Sequence, residues 1–137
     1  MSALTAGFAV DRRGPPLVGT FGYYVAPGEK VFRGGIVGVN AAFQLQRPQT
    51  AGTVAIVGVA DRDMDNSLGT VPSTIAVEAT KGVFALVVPS ATGANLGQPV
   101  YAVDDGTLTL TQPGTLPPAG TLVGVESGKT YIRMTGA

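Results

Sequence analysis

The chain has 137 residues with nine basic and nine acidic side chains, so its formal net charge is zero; 13% of residues are charged and 45% are hydrophobic. That length suits one domain with a real core, and the absence of a basic excess removes the electrostatic signature of nucleic-acid binding. There is no cysteine and no histidine, which excludes disulfides, thiolate chemistry, Ser-His or Cys-His nucleophiles, and the commonest general base and metal ligand.

Residues 1–29 carry Gly14-Pro15-Pro16, Gly19, Gly22 and Pro27-Gly28, which break helices and long strands. The same stretch holds Phe8, Phe21, Tyr23 and Tyr24. A segment this broken and this aromatic reads as an arm that packs on something, either a neighbour or its own body. Arg12-Arg13 reads as a solvated basic pair. Met1 to Val10 lacks a signal-peptide pattern, and no apolar run reaches membrane-spanning length. The expectation is a chain made in the cytoplasm, with no membrane partner.

From Val31 the pattern becomes that of β-structure. Gly35 to Val39 predicts a strand, Asn40-Ala41-Ala42 a turn, and Phe43 to Gln46 a second strand. A loop with Pro48 follows, then Ala51-Gly52-Thr53 and a strand over Ile56 to Val59. Asp61, Asp63 and Asp65 alternate like the start of a calcium loop. The sixth position is Asn66 and not Gly, and the twelfth is Pro72 and not Glu, so a solvated loop is expected and no metal.

Ile75, Val77 and Ala79 alternate with Ala76 and Glu78, Lys81-Gly82 predicts a turn, and Val83 to Val88 is dense enough for a central strand. Phe84, Leu86 and Val88 share one face while Ala85 and Val87 share the other. A strand apolar on both faces sits between layers or in a subunit interface. No sustained helical periodicity appears, so one short helix at most is expected, near Ala91 to Leu96.

The stretch Gly97 to Met134 reads as two hairpins joined by a Pro-rich loop. The first is PVYAV, Asp104-Asp105-Gly106 and LTLT; the second runs from Thr121 to Val125 through Ser127-Gly128 to Tyr131 and Ile132. Its grammar repeats the upstream stretch: Ala119-Gly120-Thr121 and Leu122-Val123-Gly124-Val125 match Ala51-Gly52-Thr53 and Ile56-Val57-Gly58-Val59, roughly 65 residues apart, as in a degenerate duplication of a four-strand unit. Gly124 to Thr130 ends in Gly-Lys-Thr like a phosphate-binding loop. It has three residues between its glycines where that loop needs four, and β-like sequence follows where the loop needs a helix. A hairpin turn is expected there, with no nucleotide. The acids sit mostly in turns, which leaves paired-carboxylate chemistry little support.

Three landmarks fall in order: AGTVAIVGVA (Ala51 to Ala60), IAVEATKGVFALVV (Ile75 to Val88), and GQPVYAVDDGTLT (Gly97 to Thr109) followed by LVGV (Leu122 to Val125). Together they resemble the small capsid decoration, or cement, proteins of tailed bacteriophages, over roughly Val31 to Met134. The resemblance implies a β-barrel or β-sandwich, often trimeric, bound to the exterior of the head at symmetry axes between major capsid subunits, with no catalytic residues to carry over.

The combined expectation is an all-β compact barrel or sandwich of about eight to ten short strands, with an N-terminal arm over 1–29 and the β domain over 30–137. Its partners would be the major capsid protein and further copies of itself, with no nucleic acid and no cofactor. A weakly charged surface fits a protein whose exterior other protein covers. Candidate interface residues are Phe8, Phe21, Tyr23 and Tyr24 on the arm and Phe84 on the two-faced strand. The alternative is a virion fibre base or carbohydrate-binding module, which would need a solvent-facing aromatic platform.

Overall fold

The computed structural model describes residues 3–7 and 21–135. Among them are β1 (Phe21–Tyr24), β2 (Glu29–Val31), β3 (Ile36–Val39), β4 (Leu45–Gln46), β5 (Ala55–Ala60) and β6 (Met64–Asn66). The second half holds β7 (Ala76–Thr80), β8 (Gly82–Ala85), β9 (Pro99–Asp104), β10 (Thr107–Thr109), β11 (Gly120–Glu126) and β12 (Lys129–Met134). One 3-10 turn, Gly93–Asn95, falls where the short helix was expected, capped by the Thr92 side chain. The fold is all-β. Its described strands outnumber the expected eight to ten because β2, β4 and β6 are only two or three residues long.

There are two five-stranded sheets, ordered β1-β7-β5-β3-β4 and β8-β12-β11-β9-β10, and a ribbon of β2 with β6. Strand pairing is antiparallel throughout the three sheets. Both large sheets follow one plan. The first strand of each half lies beside the fifth, the fifth beside the fourth, the fourth beside the second, and the second beside the third.

Each sheet also curls until its edges meet, as in a small barrel. Val25, just past β1, bridges Leu45 of β4 in parallel, and the Ala26 N–H donates to the Leu45 carbonyl at 2.9 Å. In the second half the Leu108 N–H of β10 donates to the Val87 carbonyl, just past β8, at 2.8 Å. We call the two units barrel 1 and barrel 2.

The register carries the repeat to single residues. Val39 faces Leu45 where Ala102 faces Leu108, and Phe21 faces Ala79 where Phe84 faces Ile132. Gly34 (φ 82°) donates to the Ala60 carbonyl, and Gly97 (φ 87°) donates to that of Leu122. The repeat therefore has five strands and not four. It also pairs Ala60 with Leu122, so the matching AGT tripeptides are not equivalent. Ala51-Gly52-Thr53 lies before β5, whereas Gly120 and Thr121 already belong to β11.

Interior side chains follow the alternation. Val25, Val37, Val39, Leu45, Val57, Val77 and Ala79 fill barrel 1; Phe84, Leu86, Val88, Val100, Leu108, Leu122, Ile132 and Met134 fill barrel 2. A bulge at Val37/Gly38 opposite β5 breaks the alternation there, so Ile56 and Val59 join the cluster of barrel 2, as does Ile36. That is how one hydrophobic seam joins the barrels.

Three expectations change. First, the 1–29 arm is too long: β1 is a paired strand and β2 begins at Glu29, with Pro27-Gly28 (φ 77°) making the turn that precedes it. Second, Val83 to Val88 is not a central strand. β8 lies at an edge of its sheet, with Phe84 turned inward and Val87 40% exposed. Third, the turn expected at Lys81-Gly82 is a crossover, carrying the chain from one sheet to the other. Among the described residues no helix is long and apolar enough to cross a membrane.

Candidate interaction surface

β1 begins a sheet and is paired on one side only, with β7. Its other edge meets β4 just at the Val25 bridge, so from Phe21 to Tyr24 no strand lies beside it among the described residues. An open edge of this kind presents backbone donors and acceptors for a further strand.

Across from that edge stands the tip of the β3–β4 hairpin. Asn40 organises it: its Oδ1 accepts from the N–H groups of Ala42 (2.9 Å) and Gln44 (3.1 Å), and its Nδ2 donates to Gln44 Oε1 at 3.2 Å. The Phe43 N–H donates to the Asn40 carbonyl at 3.0 Å. Phe43 thereby sits at φ 62°, a left-handed backbone that costs an aromatic residue and favours Gly or Asn. Its ring is 77% exposed. A strained residue holding a large apolar side chain in water is a candidate functional position.

Phe21 to Tyr24 form one wall and Ala42 to Gln44 the other of a groove of about 520 Å³, to which Pro72 also contributes. Phe21 is 63% and Tyr24 53% exposed, and the Phe21 and Tyr23 rings pack tilted with centroids 5.0 Å apart. Among the described residues no Asp, Glu, Lys or Arg lines the groove. The loop carrying Pro72 is pinned to barrel 1. Asn66 Nδ2 donates to the carbonyls of Val25, Ala26 and Val71, and Ser73 Oγ accepts from the Val25 N–H. That loop also leaves Leu68 (97%) and Val71 (64%) in solvent.

Of the expected interface residues, Phe21, Tyr23 and Tyr24 come together in this groove. Phe8 lies outside the described residues, as do Arg12 and Arg13. Phe84 is a correction: it is 1% exposed and belongs to the barrel 2 core, because the inward face of β8 fills the barrel. The sequence pattern places Phe43 in a strand and gives it no interface role; an aromatic directly after an Asn-Ala-Ala turn is the signal that points to it. Pro72 and its apolar loop were missed because a loop has no periodicity to read.

The other candidates resolve locally. Asp61 accepts from the Glu78 N–H, Asp63 from the Arg33 N–H, and Asp65 from the Ser67 N–H and hydroxyl. Those hydrogen bonds from Ser67 hold the exposed Asp65 carboxyl below its ordinary value. The three acids serve separate donors, and the described residues contain no group of three metal-ligating side chains. Ser127 (φ 51°) and Gly128 (φ 77°) turn the β11–β12 hairpin, so Lys129 opens a strand and not a phosphate-binding helix.

One buried acid is held by the N-terminal segment. Asp105, at the β9–β10 turn, is 1% exposed. Its Oδ1 accepts from the Leu4 N–H at 2.9 Å, while its Oδ2 and the Thr107 hydroxyl are buried without a hydrogen-bond partner. Burial pushes its pKa above the ordinary carboxylate value.

No protein-family model matches the chain, and no curated protein matches it.

Proposed function

We propose that this protein is a capsid decoration protein: a structural subunit that binds the outside of a bacteriophage head and stabilises contacts between major capsid subunits. The observation that carries the reading is the aromatic groove beside the open edge of β1, which exposes Phe21, Tyr24 and Phe43 and whose described lining has no charged side chain. The order of sequence landmarks supports it as a resemblance. Clamping would act by mass action. Surface buried across neighbouring subunits has to be released before the shell loosens, so bound copies raise its stability.

The test is to add the purified protein to heads that lack it, then measure cosedimentation and the temperature at which the shells release their genome. Saturable binding with a raised release temperature is expected. Absence of binding at micromolar concentration would refute the reading.

The exposed rings of Phe21, Tyr24 and Phe43 also favour a second reading, a carbohydrate-binding module with an aromatic platform. A sugar site needs polar side chains converging beside its rings. Among the described residues this groove offers only Gln44 and the tyrosine hydroxyls, so the first reading is preferred. Binding of a glycan that Phe43→Ser abolishes would reverse that preference.

A further inference from the structure

The two barrels share one plan, yet among the described residues only one of them has this region covered. The register that sets Val39 against Leu45 and Ala102 against Leu108 makes Asp105 to Thr107 the counterparts of Ala42 to Gln44. At barrel 2, Asp105 is 1% and Thr107 6% exposed. At barrel 1 the counterpart Ala42 is exposed and Gln44 half-buried, and Phe43 is 77% exposed where its counterpart Gly106 is half-buried. The strand opposite behaves the same way: Phe84 is 1% exposed and its counterpart Phe21 is 63% exposed.

The described residues show part of what covers barrel 2. The Ile36 N–H donates to the Asp105 carbonyl at 2.9 Å. The Leu4 N–H, from the segment 3–7, donates to Asp105 Oδ1. The Leu4 side chain packs over Gly35, so closely that a Cβ there would lie 3.0 Å from Leu4 Cδ1. Ile36 belongs to the same buried cluster as Phe84. Among the described residues the cover thus consists of N–H groups from neighbouring backbone and branched apolar side chains.

We infer that the barrel 1 groove takes the same kind of occupant from outside: an extended, uncharged segment of another protein, added along the free edge of β1 and packed against the Phe43 ring. This rests on the docking reading above for the source of the segment, a capsid subunit. A second copy of this chain fits less well. The residue equivalent to Ile36 is Pro99, which has no N–H to donate, and the 3–7 segment of each copy is already engaged at its own Asp105. The groove matches the occupant, since its described lining carries no Asp, Glu, Lys or Arg, and strand addition recognises backbone, with pockets for alternate side chains.

Two measurements on the full-length protein test this. The first uses a capped synthetic peptide with the sequence of residues 2–8, at millimolar concentration, against isotope-labelled protein in solution NMR. Amide shifts should concentrate on Phe21 to Tyr24 and Ala42 to Gln44, and Phe43→Ser or Tyr24→Ser should weaken binding at least tenfold. Both side chains are largely exposed, so both variants should fold. Shifts that are absent or map elsewhere overturn the inference, as does full exchange protection of the β1 edge in the free protein. The second measures hydrogen exchange on heads, where the β1 amides should gain protection. If the protein binds heads and these amides gain none, the inference falls and the docking reading stands. If the peptide fills the groove and heads are not bound, the docking reading falls and the inference stands.

Discussion

Glu29 shows how single residues hold the loops of barrel 1 in place. Its buried Oε1 accepts from the Arg47 N–H (2.9 Å), Arg47 Nε (3.1 Å) and the Thr50 hydroxyl (2.9 Å). Glu29→Ala leaves those donors without a partner and should lower unfolding free energy by about 2 kcal/mol, read by denaturant titration. Phe43 works the other way. Phe43→Asn suits the left-handed backbone and should raise stability by about 0.5 kcal/mol while weakening attachment to heads; a loss of stability would mean that the ring is packed in the free protein. Asp105 is a third case. Because burial raises its folded-state pKa, its contribution to stability is full below the unfolded value and is lost as pH rises through the raised one. Asp105→Asn, which keeps an acceptor for Leu4, should therefore gain on the wild type between acid and neutral pH in paired thermal melts. A constant gap across that range would refute the assignment.

At the scale of elements, the β3–β5 bulge decides how the barrels join. Val37 faces Gly58 and Gly38 faces Ile56, so Val57 is the extra residue. Gly58 has φ 145°, and a Cβ there would lie 2.5 Å from the Thr80 carbonyl oxygen. Gly58→Ala should cost about 2 to 3 kcal/mol. A melt within a degree or two of wild type would show that the bulge can relax. The hairpins were legible because their turns have local chemistry: Asp104 Oδ1 accepts from the Gly106 N–H at 2.8 Å, and Ser127-Gly128 supplies two positive φ angles. β1 was not legible. Its four residues sit among Gly and Pro, and its pairing partner β7 lies more than fifty positions away.

For the whole molecule, the arm boundary has a direct test. A chain starting at Thr20 keeps β1, Val25 and the Leu45 bridge, and should melt cooperatively. A chain starting at Glu29 lacks all three and leaves β7 without its outer partner, so barrel 1 should lose its ordered signals in circular dichroism and NMR. Equal melts for the two chains would place β1 outside the fold. Self-association belongs at this scale too. Val87, Val103 and Val125 stay 38 to 48% exposed on barrel 2, and light scattering is expected to give a trimer at micromolar concentration. A stable monomer would remove self-association from the proposal.

Period-two alternation, turn residues and the near-repeat of the hairpin grammar determined by themselves that the chain is all-β and duplicated in character, because these signals are local and each strand's inner face must be apolar. Only the tertiary structure decided that the repeat has five strands, that each sheet meets its own edge, and that Phe84 is core while Phe21 is surface. The two phenylalanines occupy equivalent positions in equivalent strands. What separates them is which neighbouring backbone lies over them, a long-range packing outcome that no local pattern encodes.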